Sequence, residues 1–313
     1  MNILHLKYAV EVAKTRSISK AAENLYMGQP NLSRAIKELE ESLGITIFKR
    51  TTRGITTTDD GDEFLQRARR IVAQVEEIEE IYQNDRVKKQ RFSICVPRAS
   101  YIAQAMADFA GRISLDSPAE IFYKETNSMR TINNVVKEDY NLGIVRYQCG
   151  FEKYFRDMFA DKKLAYDTVA EFSYRLIASR DSPLAAKPEI RLEDLRSYIE
   201  ITHSDPYVPT LAPIDVKKAE LSEYADKHIY VFERASQFTI LGSVPNTFMW
   251  VSPVPQTLLD SYGLVMRKCA ENSRIYKDVL IYRKDYRLTE LDKQFITDVC
   301  NAKHACFAED GSP

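Results

Sequence analysis

Three helical stripes crowded between Ile3 and Gly44 constrain this chain more than any other feature. Leu6, Val10 and Ala13 recur at helical spacing and predict a first helix over Ile3–Thr15. Ser17 or Ser19 can cap a second over Lys20–Leu25, with Ala21, Ala22 and Leu25 turned inward. The two adjacent alanines let a neighbouring helix approach closely. After a break at Tyr26-Met27-Gly28, Pro30 fits the first turn of a third helix, where its missing N–H costs nothing. Leu32, Ile36, Leu39 and Leu43 make that helix's buried stripe, and Gly44 ends it. Two short helices joined by a tight turn are the helix-turn-helix arrangement. It leaves Gln29, Asn31, Ser33, Arg34 and Lys37 on the outer face. Asn, Gln and Arg can bond base edges in pairs, while Ser and Lys serve base or phosphate. An ordinary three-helix bundle with a polar face would look the same up to this point.

The residues after Gly44 separate the two. Two short apolar runs, Ile45–Phe48 and Ile55–Thr58, flank Lys49-Arg50-Thr51-Thr52-Arg53-Gly54, which predicts a hairpin with a cationic tip. Such a wing suits phosphate or minor-groove contact. Residues 1–58 hold nine basic side chains against five acidic ones, a net +4 that leaves −5 for the remainder of a chain totalling −1. Near-neutrality therefore does not exclude a nucleic-acid partner; it conceals a basic segment.

Beyond the wing, Phe64, Ala68, Ile71, Val75, Ile78 and Tyr82 are spaced 4-3-4-3-4, a heptad seam suited to a second copy of the same helix. Two linked reading heads are what a palindromic site on double-stranded DNA requires. A single long helix packed on its own domain is the alternative.

The stretch SISKAAENLYMGQPNLSRAIKELEESLGITIFKRTTRGITTTDDGDEFL resembles the DNA-binding region of the LysR-type transcriptional regulators. The likeness rests on Ala21-Ala22, Gln29-Pro30, Leu32-Ser33-Arg34, Ile36, Leu39-Glu40, Leu43-Gly44, Phe48, Arg50, Arg53 and Thr58 with Gly61. Ala9, Gly28 and Asp60 depart from the usual pattern, and Gly28 removes a hydroxyl that could reach phosphate. The DNA-contacting set is then Ser19, Gln29, Pro30, Asn31, Ser33, Arg34 and Lys37 on the helices, with Arg50 and Arg53 on the wing. The resemblance implies a winged helix-turn-helix over 1–60 and a dimerising linker helix over 61–86.

From Arg91 the pattern changes to alternating strand and helix, which implies an α/β unit with a parallel sheet. This part resembles the same family's effector-binding domain through KETNSMRTINNVVKEDYNLGIV, RLIASRDSPLA and IRLEDLRSYIEI. The resemblance implies two subdomains of the periplasmic-binding-protein type, placed here at 91–166 with 268–300 and at 167–267, followed by a C-terminal tail over 301–313. A small-molecule effector in the cleft between them would meet residues after the strands and at helix N-termini. By position these are Ser100, Thr126, Asn127, Ser128, Arg146, Thr202 and His203. Each Ser or Asn is equally a helix cap, and Arg146 equally half of an ion pair. If Arg146 is free it could neutralise an anionic ligand. The aromatic run around Trp250 reads better as core than as pocket.

No GxGxxG, GxxxxGK, GxSxG or HExxH motif occurs, so nucleotide-cofactor and common hydrolytic signatures are absent and no catalytic residue is assigned. The five cysteines are scattered without metal spacing and fit small buried hydrophobes in a reducing cytoplasm. No secretory or membrane-spanning stretch is apparent. The expectation is an effector-modulated regulator that binds DNA, itself as homodimer or homotetramer, and RNA polymerase, without metal or other cofactor. An α/β enzyme with an appended nucleic-acid module, or a DNA-binding protein with a vestigial sensor, would share most of these features.

Overall fold

Asn2 accepts the N–H of Leu4 at 3.1 Å and so starts helix α1 (Ile3–Thr15), which closes at Arg16 in left-handed backbone. Ser17 caps α2 (Ile18–Asn24), which begins slightly earlier than the apolar pattern suggests. Gly28 precedes α3 (Gln29–Leu43) without a side-chain cap, and Gly44 at φ +69° ends it, a conformation that favours glycine. Ala9, Val12, Ala21, Ala22, Leu32, Ile36 and Leu39 form the core these helices share. In the computed structural model, residues 2–51, 54–82, 89–137, 139–203 and 225–308 are described. The chain divides into two compact units, Met1–Lys88 and Lys89–Pro313.

The wing differs in detail from the expected hairpin. Its strands are β1 (Phe48–Thr51) and β2 (Gly54–Thr57), paired antiparallel from Phe48↔Thr57 to Thr51↔Gly54. Ile45–Ile47 is not strand, because Ile47 turns into the helical core and the Glu40 carboxylate of α3 accepts its N–H at 2.6 Å and that of Phe48 at 3.0 Å. Lys49 and Arg50 therefore lie in a strand rather than at the tip, and Arg53 lies outside the described residues.

Helix α4 (Asp59–Tyr82) follows at once. Thr58 accepts the Gly61 N–H at 2.8 Å and donates to the Thr46 carbonyl at 2.5 Å. A Cβ on Gly61 would stand 2.2 Å from the Ile47 carbonyl oxygen, so only glycine lets the helix start this close to the wing. The expected seam on this helix is divided. Ala68 is buried with Leu6 and Val72, and Phe64 packs on the same cluster, so both belong to the domain's own core. Ile71 and Ile78 stay exposed, Ile78 at 56%, and Val75 is half-buried. The side chain of Tyr82, and residues 83–86 of the linker, lie outside the described set.

The second unit holds two five-stranded sheets. The first has β3 (Gln90–Val96), β4 (Ala119–Glu125), β5 (Leu142–Gln148), β6 (Leu164–Ser173) and β12 (Ile275–Arg283) in the order β4-β3-β5-β12-β6. Helices α5 (Ser100–Ala110), α6 (Ser128–Val136) and α7 (Glu152–Asp161) connect its strands, and α11 (Glu290–Ala308) closes it. Phe92, Phe109 and Phe295 pack with centroids 4.7–5.6 Å apart on one face, and Phe155 with Phe159 fill the other. The second sheet contains β7 (Arg175–Ser179), β8 (Ile199–His203), β9 (Lys227–Val231), β10 (Thr247–Val251) and β11 (Leu264–Arg267), ordered β11-β7-β10-β8-β9. Helix α8 (Pro183–Ala186) and Leu195 cover one face, while α9 (Arg234–Ser243) and α10 (Gln256–Ser261) cover the other. Trp250 packs half-buried against Phe248 at the core margin.

Three expectations change here. Both sheets are mixed rather than parallel, because β12 and β6 run antiparallel in the first and β7 and β11 in the second. Residues 167–173 belong to β6 and pair with β12 through Ile275↔Ser173, so the first sheet extends to Ser173 and not to residue 166. The stretch from 301 to Ala308 continues α11, with Cys306 buried and Phe307 packed against Phe172, while 309–313 lie outside the described residues.

Candidate nucleic-acid interface and ligand site

The outer face of α3 follows from its inner one. With Leu32, Ala35, Ile36 and Leu39 buried, the 3.6-residue period turns Gln29, Pro30, Asn31, Arg34 and Lys37 to solvent, and Ser33 is partly covered. Lys37 stands 3.5 Å from Glu41, an exposed pair that a phosphate could readily replace. Ser19 and Gln29 border a shallow hollow together with Ser17, Lys20 and Met27, which brings the starts of α2 and α3 to one surface. Lys49 is exposed on β1. Two residues singled out for the wing give no side-chain geometry, since Arg50's side chain and all of Arg53 fall outside the described set.

One exposed residue escapes the sequence reading. Tyr26 sits in the turn between α2 and α3 at φ 52°, in left-handed backbone, and is 98% exposed. Sequence pattern marks it as a break residue only; its near-complete exposure leaves its hydroxyl open to solvent.

In the second unit, the polar residues after the strands of the first sheet do come together, but mostly on one another. Asn127 caps α6 by accepting the Arg130 N–H at 2.9 Å. Buried Ser128 donates to the Arg146 carbonyl at 2.5 Å, and Thr126 is buried beside the end of β3, its N–H bonded to the Val96 carbonyl. Arg146 is not free to take a ligand's charge. Its guanidinium donates to both oxygens of Asp278, at 2.7 and 2.6 Å, and Asp278 is fully buried. Burial alone would lower the Arg146 pKa, yet the Asp278 carboxylate outweighs it and holds it above the ordinary value. Tyr101 donates to the same carboxylate at 2.5 Å; burial first and then Asp278 push its pKa well up. The guanidinium also lies 4.8 Å from the Phe172 ring centre, at the point where the chain leaves the first sheet.

Ser100, first residue of α5, accepts a hydrogen bond from Arg234 at 3.2 Å. Arg234 opens α9 on the second sheet and also donates to Glu125, the last residue of β4, at 3.1 Å. Sequence reading passes over this cation. The rule that singles out Arg146, a charge just past a strand, applies equally to Arg234 after β9. Thr202 and His203 end β8, half-buried and paired in register with Tyr230 and Val231. Among the described residues no group of three or more His, Cys, Asp or Glu side chains could hold a metal ion. Nor is any described helix long and apolar enough to cross a membrane.

Comparison with known proteins places both units. Residues 3–62 match the family described as "Bacterial regulatory helix-turn-helix protein, lysR family". Over 303 residues the chain is 25% identical to the HTH-type transcriptional regulator AlsR of Bacillus subtilis, covering 95% of this chain and 94% of that one. It is 23% identical over 309 residues to the regulator YnfL of Escherichia coli, covering 96% and 99%. Identity rises to 41% over 78 residues with BenM of Acinetobacter baylyi, a match confined to 25% of this chain and 26% of the other. Among solved structures, full-length OxyR of Pseudomonas aeruginosa superposes with a TM-score of 0.59 at 16% identity, covering 98% and 95% of the two chains. CbnR in complex with its target DNA gives 0.57 at 16% identity, covering 96% and 100%. A matching reading head and relatives aligned along nearly their whole length give residues 3–62 a helix-turn-helix of the LysR family and make the chain similar throughout to bacterial HTH-type transcriptional regulators.

Proposed function

We propose that this chain is a sequence-specific DNA-binding regulator whose operator binding or promoter activity is set by a small anionic effector held in the second unit. It acts in the cytoplasm as a homodimer or homotetramer and contacts RNA polymerase at the promoter. The observation that carries this reading is the exposed row of Gln29, Asn31, Arg34 and Lys37 along one face of α3, fixed by a buried stripe on the other. Side chains able to make paired bonds to base edges are thereby held on a rigid helix that a major groove admits. Support for self-association comes from exposed Ile71 and Ile78 along α4, apolar positions seven apart that a second α4 would cover. The effector acts only to the extent that it binds one assembly state better than the other.

Fluorescence-anisotropy titration of DNA from the gene's own upstream region, against a scrambled duplex of equal length, tests the reading. Selective binding that weakens as salt rises is expected; equal affinity for both duplexes would contradict it.

A further inference from the structure

Arg16 belongs to the basic stretch of the first unit but not to the DNA-contacting set read from the sequence. It closes α1 by donating its backbone N–H to the Val12 carbonyl at 2.9 Å, and it does so at φ 53° and ψ 25°. Glycine or asparagine sits in that left-handed backbone with less strain than a long side chain does. The Arg16 carbonyl then accepts the Ile55 N–H of β2 at 3.1 Å, so the turn between α1 and α2 lies along the outer edge of the wing. A Cβ on Gly54, which opens β2 just past the wing tip, would stand only 3.0 Å from the same oxygen. On its other side Arg16 leads into Ser17, which lines the hollow shared with Ser19, Lys20 and Gln29. The residue therefore stands between the start of α3 and the wing. Its side chain is exposed and, among the described residues, makes no ion pair or hydrogen bond. Lys7, Lys37 and Arg67 of the same unit, by contrast, each stand by a carboxylate: Glu79 at 3.3 Å, Glu41 at 3.5 Å and Glu63 at 2.8 Å.

We propose that Arg16 is a further DNA contact of this chain, a cation that meets the sugar–phosphate backbone of double-stranded DNA between the α3 face and the wing. The inference rests on the first unit being a DNA-reading head. A phosphate rather than a base edge is the partner, because the side chain starts from a turn pinned to the wing and not from the helix that a major groove admits. A guanidinium binds two phosphate oxygens at once and keeps its charge at any working pH. The strained backbone has a use on this reading: glycine would ease the turn and leave the phosphate without its counter-charge. Such a contact carries no sequence information. It adds affinity for any duplex and steepens the dependence on salt.

Fluorescence-anisotropy titration of the full-length chain with the upstream and the scrambled duplex, across a salt series, tests this. Arg16→Asn removes the charge with a residue that tolerates left-handed backbone, and Arg16→Lys keeps the charge. R16N is expected to bind both duplexes about three- to tenfold more weakly, by the same factor for each. Its slope of log affinity against log salt should shrink by about one for each head bound. R16K should keep most of the unaltered chain's affinity and slope. An R16N variant with the affinity and slope of the unaltered chain, a loss confined to the upstream duplex, or R16K as weak as R16N would each overturn the proposal. Should R16N fail to fold, Arg16→Gly, which the backbone favours, is read by the same criteria. Equal affinity of the unaltered chain for the two duplexes contradicts the regulator reading and leaves the Arg16 comparison standing. Selective binding that R16N does not diminish overturns only the present proposal, and binding of neither duplex overturns both.

Discussion

Arg146 and Arg34 are both single cations chosen from the sequence, and they end in opposite places. Arg146 is bound to fully buried Asp278, a partner 132 positions away along the chain, so nothing local could announce the pairing. Arg146→Ala strips a buried carboxylate of its counter-charge and is expected to cost about 3–5 kcal/mol of unfolding free energy, measured by urea denaturation. Arg34 was legible because its role depends on helix phase alone: with Leu32, Ala35 and Ile36 inward, it must face out. Arg34→Ala should lower discrimination between operator and scrambled DNA by about 1–3 kcal/mol while leaving stability unchanged. Glu125 adds a pH dependence at the same scale. Its folded pKa lies above the ordinary 4.5. Its contribution to stability is therefore full below the unfolded value and is lost as pH rises through the folded one. The stability of the unaltered chain relative to E125Q should fall as pH is raised through that interval, read by thermal unfolding at each pH.

At the scale of elements, periodicity told where helices lie but not what they lie against. The 4-3-4 spacing on α4 is the same whether the partner is α1 or a second α4, and the structure divides the row: Ala68 and Phe64 serve the domain core while Ile78 stays exposed. Ile78→Asp should therefore weaken self-association without unfolding the head, as sedimentation velocity would register, whereas Ala68→Asp should unfold it. Strand β6 is hard to read from sequence for a related reason. It is an edge strand, and exposed Tyr166, Asp167, Thr168 and Glu171 interrupt its apolar pattern. Glycines were more legible. Gly61→Ala would drive a methyl into the Ile47 carbonyl and is expected to destabilise the head by about 1–3 kcal/mol. Gly28 has room for a side chain, with only Asn31 and Pro30 atoms at 3.8 Å. Gly28→Ser should add a cap worth a few tenths of a kcal/mol.

At the scale of the whole molecule, opposed charges are divided within the first unit. The first 58 residues carry +4 and residues 59–88 carry −4, nine acidic against five basic side chains, which leaves −1 for residues 89–313, so the basic surface belongs to the helix-turn-helix and wing and the balancing acids to the α4 segment. Alternation of strand and helix announces an α/β unit and the family resemblance its two subdomains, but the antiparallel placement of β12 and β6 depends on pairings a hundred residues apart and leaves no local trace. The central claim is that the α3 face reads bases. It is tested most directly by the affinity of the unaltered chain and of Arg34→Ala for upstream DNA and for a scrambled duplex, measured across a salt series. The account requires the unaltered chain to prefer the upstream duplex by about a thousandfold or more, and Arg34→Ala to lose at least about tenfold of that preference with its salt slope little changed. Equal affinity of the unaltered chain for both duplexes, or an Arg34→Ala variant with its preference intact, would contradict it.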